Sequence, residues 1–300
     1  MKRIFSLILV SVMILSFAAC GGNGGDTSTT TGTETTTEGT TAKPLAELAK
    51  IVESGAIKVG MECDYAPFNW TQAKSSDTAV AIDGGGYADG YDVQIAKMIA
   101  AGLGVELKIV KTDWDGLTTA LTSGTIDLII AGMSPLADRK VTIDFSDYYY
   151  ASELVMVVKK DGPYKDATSI ADFKDAKITG QLNTFHYDVV GQIEGVKKQT
   201  ALADFPSMIV ALNSGAIDGY VSEKPGADSA VAANSNFKFI EFEGDKGFTF
   251  EPDEVNVSVG TRKGSDMTAK INEILSGISE EKRIELMNDA IKNQPISEEK

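Results

Sequence analysis

A helix end, a glycine stop, an apolar strand and a polar turn follow one another in Ala120-Leu121-Thr122-Ser123-Gly124-Thr125-Ile126-Asp127 and its continuation Leu128-Ile129-Ile130-Ala131-Gly132-Met133-Ser134. Ninety-one residues later the chain repeats the unit as Ala211-Leu212-Asn213-Ser214-Gly215-Ala216-Ile217-Asp218, leading into Gly219-Tyr220-Val221-Ser222-Glu223. At the same offset upstream, Asp113-Trp114 answers Asp204-Phe205, and Leu117 answers Met208. An apolar strand beside an amphipathic helix must bury its face within a larger sheet. Two copies therefore predict two similar lobes, each offering a strand end to the other.

The flanking segments extend this pattern. A short helix Leu45–Ser54, stopped at Gly55, precedes an alternating strand Ile57–Met61. Asp92 is placed to cap a helix running to about Gly102, whose Ile95, Met98, Ile99 and Leu103 form one apolar stripe. Val105, Leu107 and Ile109 then alternate with Glu106 and Lys108 as a strand. Strand, helix, strand, helix, strand is the order of a parallel α/β sheet. Leu154–Val158 is a continuous apolar strand long enough to enter a second lobe, where strand Ala176–Thr179 leads through Gln181 to a helix Phe185–Ile193 capped by Thr184. Val255–Gly260 can return the chain, and helices Met267–Ser276 and Glu280–Lys292 close it. The expected fold is thus α/β, a mixed sheet flanked by helices in each of two lobes, with a cleft between them. Lobe 1 is expected over residues 44–156 and 256–300, and lobe 2 over 157–255.

The N-terminus bears on location. Met1-Lys2-Arg3 and an apolar run to Ala19 have the form of a secretory signal segment over residues 1–19. Phe17-Ala18-Ala19-Cys20 resembles a bacterial lipobox, which makes Cys20 the expected lipidation site. Residues 20–43 are rich in Thr and Gly and are expected to form a disordered tether. Cys63 is then the one thiol of the mature chain, so an intramolecular disulfide is excluded. The formal charge of −15 argues against nucleic acid or an anionic membrane surface as the main partner. Gly84-Gly85-Gly86 is followed by no Gly-Lys-Ser/Thr, so it is no phosphate loop, and the spacings carry no zinc pattern. A hairpin or surface turn is expected there, and no cofactor or metal.

Candidate binding residues cluster after the expected strands. Glu62 and Tyr65 open an acidic, aromatic loop with Phe68 and Trp70, of which the last two serve equally well as core caps. Ser134-Pro135 reads as an N-cap and first-turn proline, so that free amides, the Ser134 hydroxyl and Arg139 can converge on an anion. Guanidinium grips two oxygens at once, which suits a carboxylate. The second copy ends instead in an acid, Glu223. A cation-and-amide site facing a carboxylate across a cleft fits a ligand that carries both a carboxylate and an ammonium.

At this point the chain resembles the family 3 extracellular solute-binding proteins, the amino-acid receptors of bacterial ABC importers. The resemblance covers about Leu45 to Ile291. It rests on Tyr65-Ala66-Pro67-Phe68, Gly90-Tyr91-Asp92-Val93, Gly124-x-Ile126-Asp127, Ala131-Gly132-Met133-Ser134 through Arg139, Asp144-Phe145-Ser146-Asp147-x-Tyr149 and Ile217-Asp218-Gly219-Tyr220. It implies a two-lobe, type II periplasmic-binding-protein-like fold with the ligand in the inter-lobe cleft. It further implies that Arg139 binds an α-carboxylate with help from Ser134 and the backbone around Gly132 and Met133. Thr184 would touch the same carboxylate from the second lobe. Glu223 stands where the family usually has an aspartate for the α-amino group, and Asn183 where a glycine is common. Tyr65 and Tyr91 match aromatics that pack on the ligand. Glu62 matches a side-chain-reading position, where an acid favours a polar or basic amino acid, and Phe68 and Gln181 complete the candidate ligand-binding set. The expected role is capture by a lipid-anchored monomer on the extracytoplasmic face of the cell membrane (cell surface, or periplasm where there is an outer membrane), followed by delivery to permease subunits. The competing readings are a cyclohexadienyl dehydratase-like enzyme on the same fold, with Glu223 as acid, and a ligand sensor without a transporter.

Overall fold

The computed structural model describes residues Ala46–Pro295; the expected signal segment, Cys20 and the tether lie outside them. Two five-stranded sheets share one logic. The first runs Glu106–Lys111, Ala56–Met61, Leu128–Ile129, Asn256–Arg262, Ile143–Ala151, and the second runs Lys197–Lys198, Lys177–Thr179, Gly219–Glu223, Leu154–Lys159, Phe237–Ile240. In each, the first three strands are parallel. In each, a strand entering from the other side of the molecule pairs antiparallel with the third. Helices flank both sheets, as the repeated unit predicts for a two-lobe α/β protein. A smaller four-stranded sheet (Asp64–Tyr65, Asn69–Gln72, Val80–Ala81, Tyr87–Asp89) absorbs the Gly84–Gly86 turn.

The apolar stripes form the core as their spacing predicts. Ile95, Ile99 and Leu103 of helix Tyr91–Leu103 are buried with Val59, Ile109 and Ile126. Ile178, Val158, Val190 and Phe173 centre a separate cluster in the second lobe. Burial of this kind stabilises by roughly 25 cal/mol per Å² of apolar surface.

Three local expectations need correction. The helix after Ser134-Pro135 spans only Ala137–Thr142, with Leu136 at its N-cap. Proline disfavours helical backbone at the residue before it, and the Met133 carbonyl is held by the Ser258 N–H at 2.9 Å. The helix expected over Phe185–Ile193 is α only through Asp188, and the Thr184 hydroxyl donates to the Gln181 carbonyl at 2.7 Å rather than capping it. Asp92 is no cap either: Gly90 holds that place, and Asp92 is fully buried as the second residue of the helix.

Candidate functional site

All four segments singled out for binding leave the carboxyl end of a strand, where open α/β sheets put their crevices. Glu62 follows Ala56–Met61, the turn Gly132–Leu136 and the helix carrying Arg139 follow Leu128–Ile129, Gln181–Thr184 follows Lys177–Thr179, and Glu223 ends Gly219–Glu223. The two lobes meet along this line. Gln181 Nε2 donates to Glu62 Oε1 at 3.2 Å, and the Tyr65 hydroxyl donates to Glu223 Oε1. Arg139 Nη2 reaches the Asn183 carbonyl at 2.9 Å, and Asn183 Nδ2 donates to Asp115 at 2.8 Å. A cavity of about 20 Å³, room for about one water molecule, remains among Tyr65, Gly132, Ser134, Arg139, Gln181 and Thr184. On the outer side of Arg139 an open groove of about 530 Å³ runs between Trp114, Met133, Asn183 and Thr184.

The site is electrostatically divided. The Arg139 guanidinium bonds two neutral carbonyls, Ser134 through Nη1 and Asn183 through Nη2, both at 2.9 Å. Among the described residues no carboxylate lies within ion-pair distance of it. It lies 5.1 Å from the Trp114 ring centroid, a cation–π contact, and burial lowers its pKa to about 10. At the other end, burial pushes Glu223 up to about 8; the Tyr65 hydroxyl bond opposes this, and the Asp92 charge adds to it. Burial likewise pushes Glu62 up to about 7; the Gln181 bond opposes this, and Asp204, Asp64 and Asp113 add to it. His186 Nε2 is 4.0 Å from Glu223, but burial and the neighbouring Arg139 lower its pKa to about 4, so it is neutral at pH 7. One end of the cleft thus holds a cation bonded to carbonyls, with Asp138 and Asp188 acting on it only from beyond ion-pair distance, and the other holds buried acids.

The remaining candidates divide. Tyr65 is sandwiched between Phe68 of its own lobe (5.0 Å) and Phe205 of the other (4.2 Å, planes 12° apart). Phe68 is fully buried beneath it, and Tyr91 lies deeper still, its hydroxyl donating to the Tyr149 carbonyl at 2.7 Å. Tyr91 therefore supports the wall and shows no surface to the cleft. The Gly132 N–H is turned into its own lobe, donating to the Tyr149 hydroxyl at 3.2 Å. The Ser134 carbonyl, not its hydroxyl, grips Arg139. Asn183 adopts φ 56°, the left-handed region glycine favours and Asn tolerates, which accounts for this departure from the family's glycine. Trp114 and Phe205 are the wall residues that sequence reasoning passed over; their signal was their shared place ahead of the two repeats. Among the described residues no cluster of three or more His, Cys, Asp or Glu could hold a metal ion, and no helix is long and apolar enough to cross a membrane.

Residues 57–290 match the family model of bacterial extracellular solute-binding proteins, family 3. The chain belongs to that family. Among curated relatives it is 28% identical over 243 residues to the arginine-binding extracellular protein ArtP of Bacillus subtilis, covering 78% of this chain and 85% of that one. Its fold is similar to that of an amino-acid ABC transporter substrate-binding protein of Streptococcus pneumoniae bound to L-arginine (TM-score 0.71, 25% identity, 82% of this chain and 97% of the other). It is also similar to an ancestral amino-acid-binding protein described as a precursor of cyclohexadienyl dehydratase (TM-score 0.67, 27% identity, 82% and 100% covered).

Proposed function

We propose that this family 3 protein captures a free amino acid, with polar or basic side chains preferred, by closing its lobes on it and delivers it to an ABC permease from a lipid anchor at Cys20. The observation that carries this reading is the half-buried Arg139, bonded to two carbonyls and to no carboxylate within ion-pair distance among the described residues, at one end of a cleft whose other end is Glu223. The contacts joining the lobes are those a zwitterion would replace. An α-carboxylate takes the place of the two carbonyls on Arg139, with Thr184 beside it. An ammonium takes the place of the Tyr65 hydroxyl on Glu223. A ligand that binds both lobes stabilises closure by its differential affinity for the closed form.

The basic preference is supported by Glu62, which lies across the cleft from Gln181 and near Asp204, Asp64 and Asp113. A guanidinium or ammonium there relieves the mutual repulsion of these acids. The arginine-related names of ArtP and of the arginine-bound Streptococcus pneumoniae protein point the same way. A thermal-shift screen against the common amino acids tests the proposal. A ligand at about 100 times its Kd adds about 2.7 kcal/mol to folding stability, so a cognate amino acid raises the melting temperature visibly. If no amino acid raises it, the proposal fails.

A second reading has one observation in its favour: Glu223, protonated at neutral pH, is a buried acid within a cleft, as a dehydratase needs. Incubation with prephenate or arogenate tests it directly. Persistence of both compounds excludes it.

A further inference from the structure

Two segments of the first lobe reach the cleft, and both turn sharply at one residue. Cys63, between Glu62 and Tyr65, has φ 60°, and Gly132, two residues before Ser134, also has φ 60°. Cys63 occupies a region that costs an L-residue other than glycine about 1–2 kcal/mol. The amide of each kinked residue is held by a buried side chain. The Cys63 N–H donates to Asn69 Oδ1 at 2.6 Å, and the Gly132 N–H donates to the Tyr149 hydroxyl at 3.2 Å. Those two side chains then meet on one carboxylate: Asn69 Nδ2 donates to Asp92 Oδ2 at 2.8 Å, and the Tyr149 hydroxyl donates to Asp92 Oδ1 at 2.7 Å. Asp92, Asn69 and Tyr149 are all completely buried.

We infer that Asp92 is a positioning residue for ligand capture: through Asn69 and Tyr149 it clamps the kinks at Cys63 and Gly132, setting the Glu62–Tyr65 loop and the Ser134–Arg139 loop against each other. A carboxylate suits the place because both neighbours must donate to it. Asn69 has only its NH2 left once its carbonyl holds Cys63, and the Tyr149 hydroxyl has only its proton left once its oxygen holds Gly132. An amide at position 92 would turn an NH2 toward one of these donors and leave that bond unmade. Hydrogen bonds that end on a charged group are also the stronger kind. Burial raises the Asp92 pKa, to about 6, while the Tyr149 and Asn69 bonds and the nearby Gly132 amide hold it down, so the carboxylate is ionised at pH 7. Asp92 touches no ligand surface and acts only through the two loops.

The inference rests on amino-acid capture in this cleft, and its test separates the two. In Asp92→Asn, we expect affinity for the amino acid found in the thermal-shift screen to fall about tenfold or more, the scale of one lost hydrogen bond to a charged group. Amide hydrogen exchange should accelerate at Cys63 or Gly132, whichever loses its bridge to residue 92, while sheet amides such as Val59 stay protected. The exchanged pair Asn69→Asp with Asp92→Asn restores every donor to an acceptor, since residue 69 then accepts from both Cys63 and residue 92, and residue 92 accepts from Tyr149. That double variant should recover both protection and affinity, which a merely packing role would not. Should Asp92→Asn fail to fold, Tyr149→Phe reads the same clamp through Gly132 alone, with faster exchange there and weaker binding. Wild-type affinity with both amides still protected in Asp92→Asn or Tyr149→Phe overturns the inference, as does a folded double variant that recovers neither. A wild-type protein that binds no amino acid sinks the capture reading, while the two amides still report on the clamp.

Discussion

The two helix–strand units share their helix stop and strand latch, and part where they reach the cleft. Gly124 and Gly215 stop their helices at φ 80° and 77°, and each N–H returns to the leucine three residues back at 3.1 Å. Ser123 and Ser214 both donate to an alanine carbonyl at 3.1 Å. Asp127 and Asp218 then latch the following strand to its neighbour. Asp127 exchanges bonds with the Lys58 backbone at 2.8 and 2.9 Å, and Asp218 with the Lys177 backbone at 2.8 Å each way. Five residues beyond the latch the repeat holds Gly132 in one copy and Glu223 in the other. The first strand pairs with its antiparallel neighbour only at Ile129–Gly260, so the chain leaves the sheet early and kinks. The second pairs with Leu154–Lys159 over five residues and carries its acid to the strand's last position. Equal scaffolds with unequal strand lengths yield one lobe that presents a loop ending in Arg139 and one that presents Glu223.

The largest expected effect breaks this comparison at its cationic end. Arg139→Ala removes one side of the charge-assisted contact proposed for a ligand enclosed between the lobes, which typically costs about 2–5 kcal/mol. Calorimetry should show at least about a thirtyfold loss of amino-acid affinity; wild-type affinity would remove Arg139 from the site. Glu223→Gln should weaken binding about tenfold or more, by taking the counter-charge from the ammonium. Its melting temperature at pH 7 should hold, because the native carboxyl is already held protonated by burial. Loss of stability without loss of affinity would make Glu223 a core acid and nothing more.

The acids also differ from Arg139 in what pH does to them. Glu62 and Glu223 have folded pKa values of about 7 and 8, raised by burial above the ordinary glutamate value of 4.5. The folded protein therefore binds more protons than the unfolded chain between these limits, and its stability falls as pH rises from about 4.5 to about 8. A bound ammonium favours the ionised carboxylate and reverses the pull. Amino-acid affinity should then strengthen as pH rises from 6 to 8, with protons released on binding. Calorimetry at pH 7 in buffers of different ionisation enthalpy measures that release, and proton uptake instead would contradict the placement of the ammonium at Glu223.

The scaffold was open to sequence reasoning because each part answers a local rule. A glycine is needed where the helix stops in the left-handed region, and an apolar alternation is needed where Ile95 and Ile99 pack. The strand ends locate the cleft, so Glu62, Tyr65, Arg139, Gln181 and Glu223 converge on it. What stayed hidden depends on partners far along the chain. Nothing near Ser134 announces that Ser258 will hold the Met133 carbonyl, or that the Gly132 amide will be taken by Tyr149. Asp92 reads as a cap from its place beside a helix start, and only the fold shows Asn69 and Tyr149 closing over it. Tyr91 carries the look of a ligand-stacking aromatic, yet its ring is walled in by Phe68, Tyr149 and Tyr150.

The latches refine the comparison on a smaller scale. Asp127 receives, besides the strand, Arg262 Nη2 at 3.3 Å, and Arg262 is also paired with Glu47. No such cation is bonded to Asp218 among the described residues. Asp127→Ala should therefore cost somewhat more folding stability than Asp218→Ala, with each in the range of about 1–3 kcal/mol for a partly buried group left without its acceptor. Urea unfolding of both variants measures the difference; a larger loss at Asp218 would reverse the assignment of the brace.

The glycine stops should show the smallest and most equal effects. A Cβ built on Gly124 meets nothing within 4 Å, and one built on Gly215 meets only the flexible Lys159 Nζ at 3.7 Å. Space is thus not at issue, and the cost of alanine is the left-handed backbone alone, about 1–2 kcal/mol. Gly124→Ala and Gly215→Ala should lose the same stability within a few tenths of a kcal/mol, and neither should alter amino-acid affinity once folded. Gly132→Ala separates from both, because its Cβ would sit 2.9 Å from Tyr65 Cε1 in addition to the strain at φ 60°. It should lose affinity as well as stability, since Tyr65 must shift from its place beside Glu223. Equal losses at Gly124 and Gly215 with an affinity loss confined to Gly132 would mark where shared scaffold ends and site begins, and an affinity loss at either helix stop would erase that boundary.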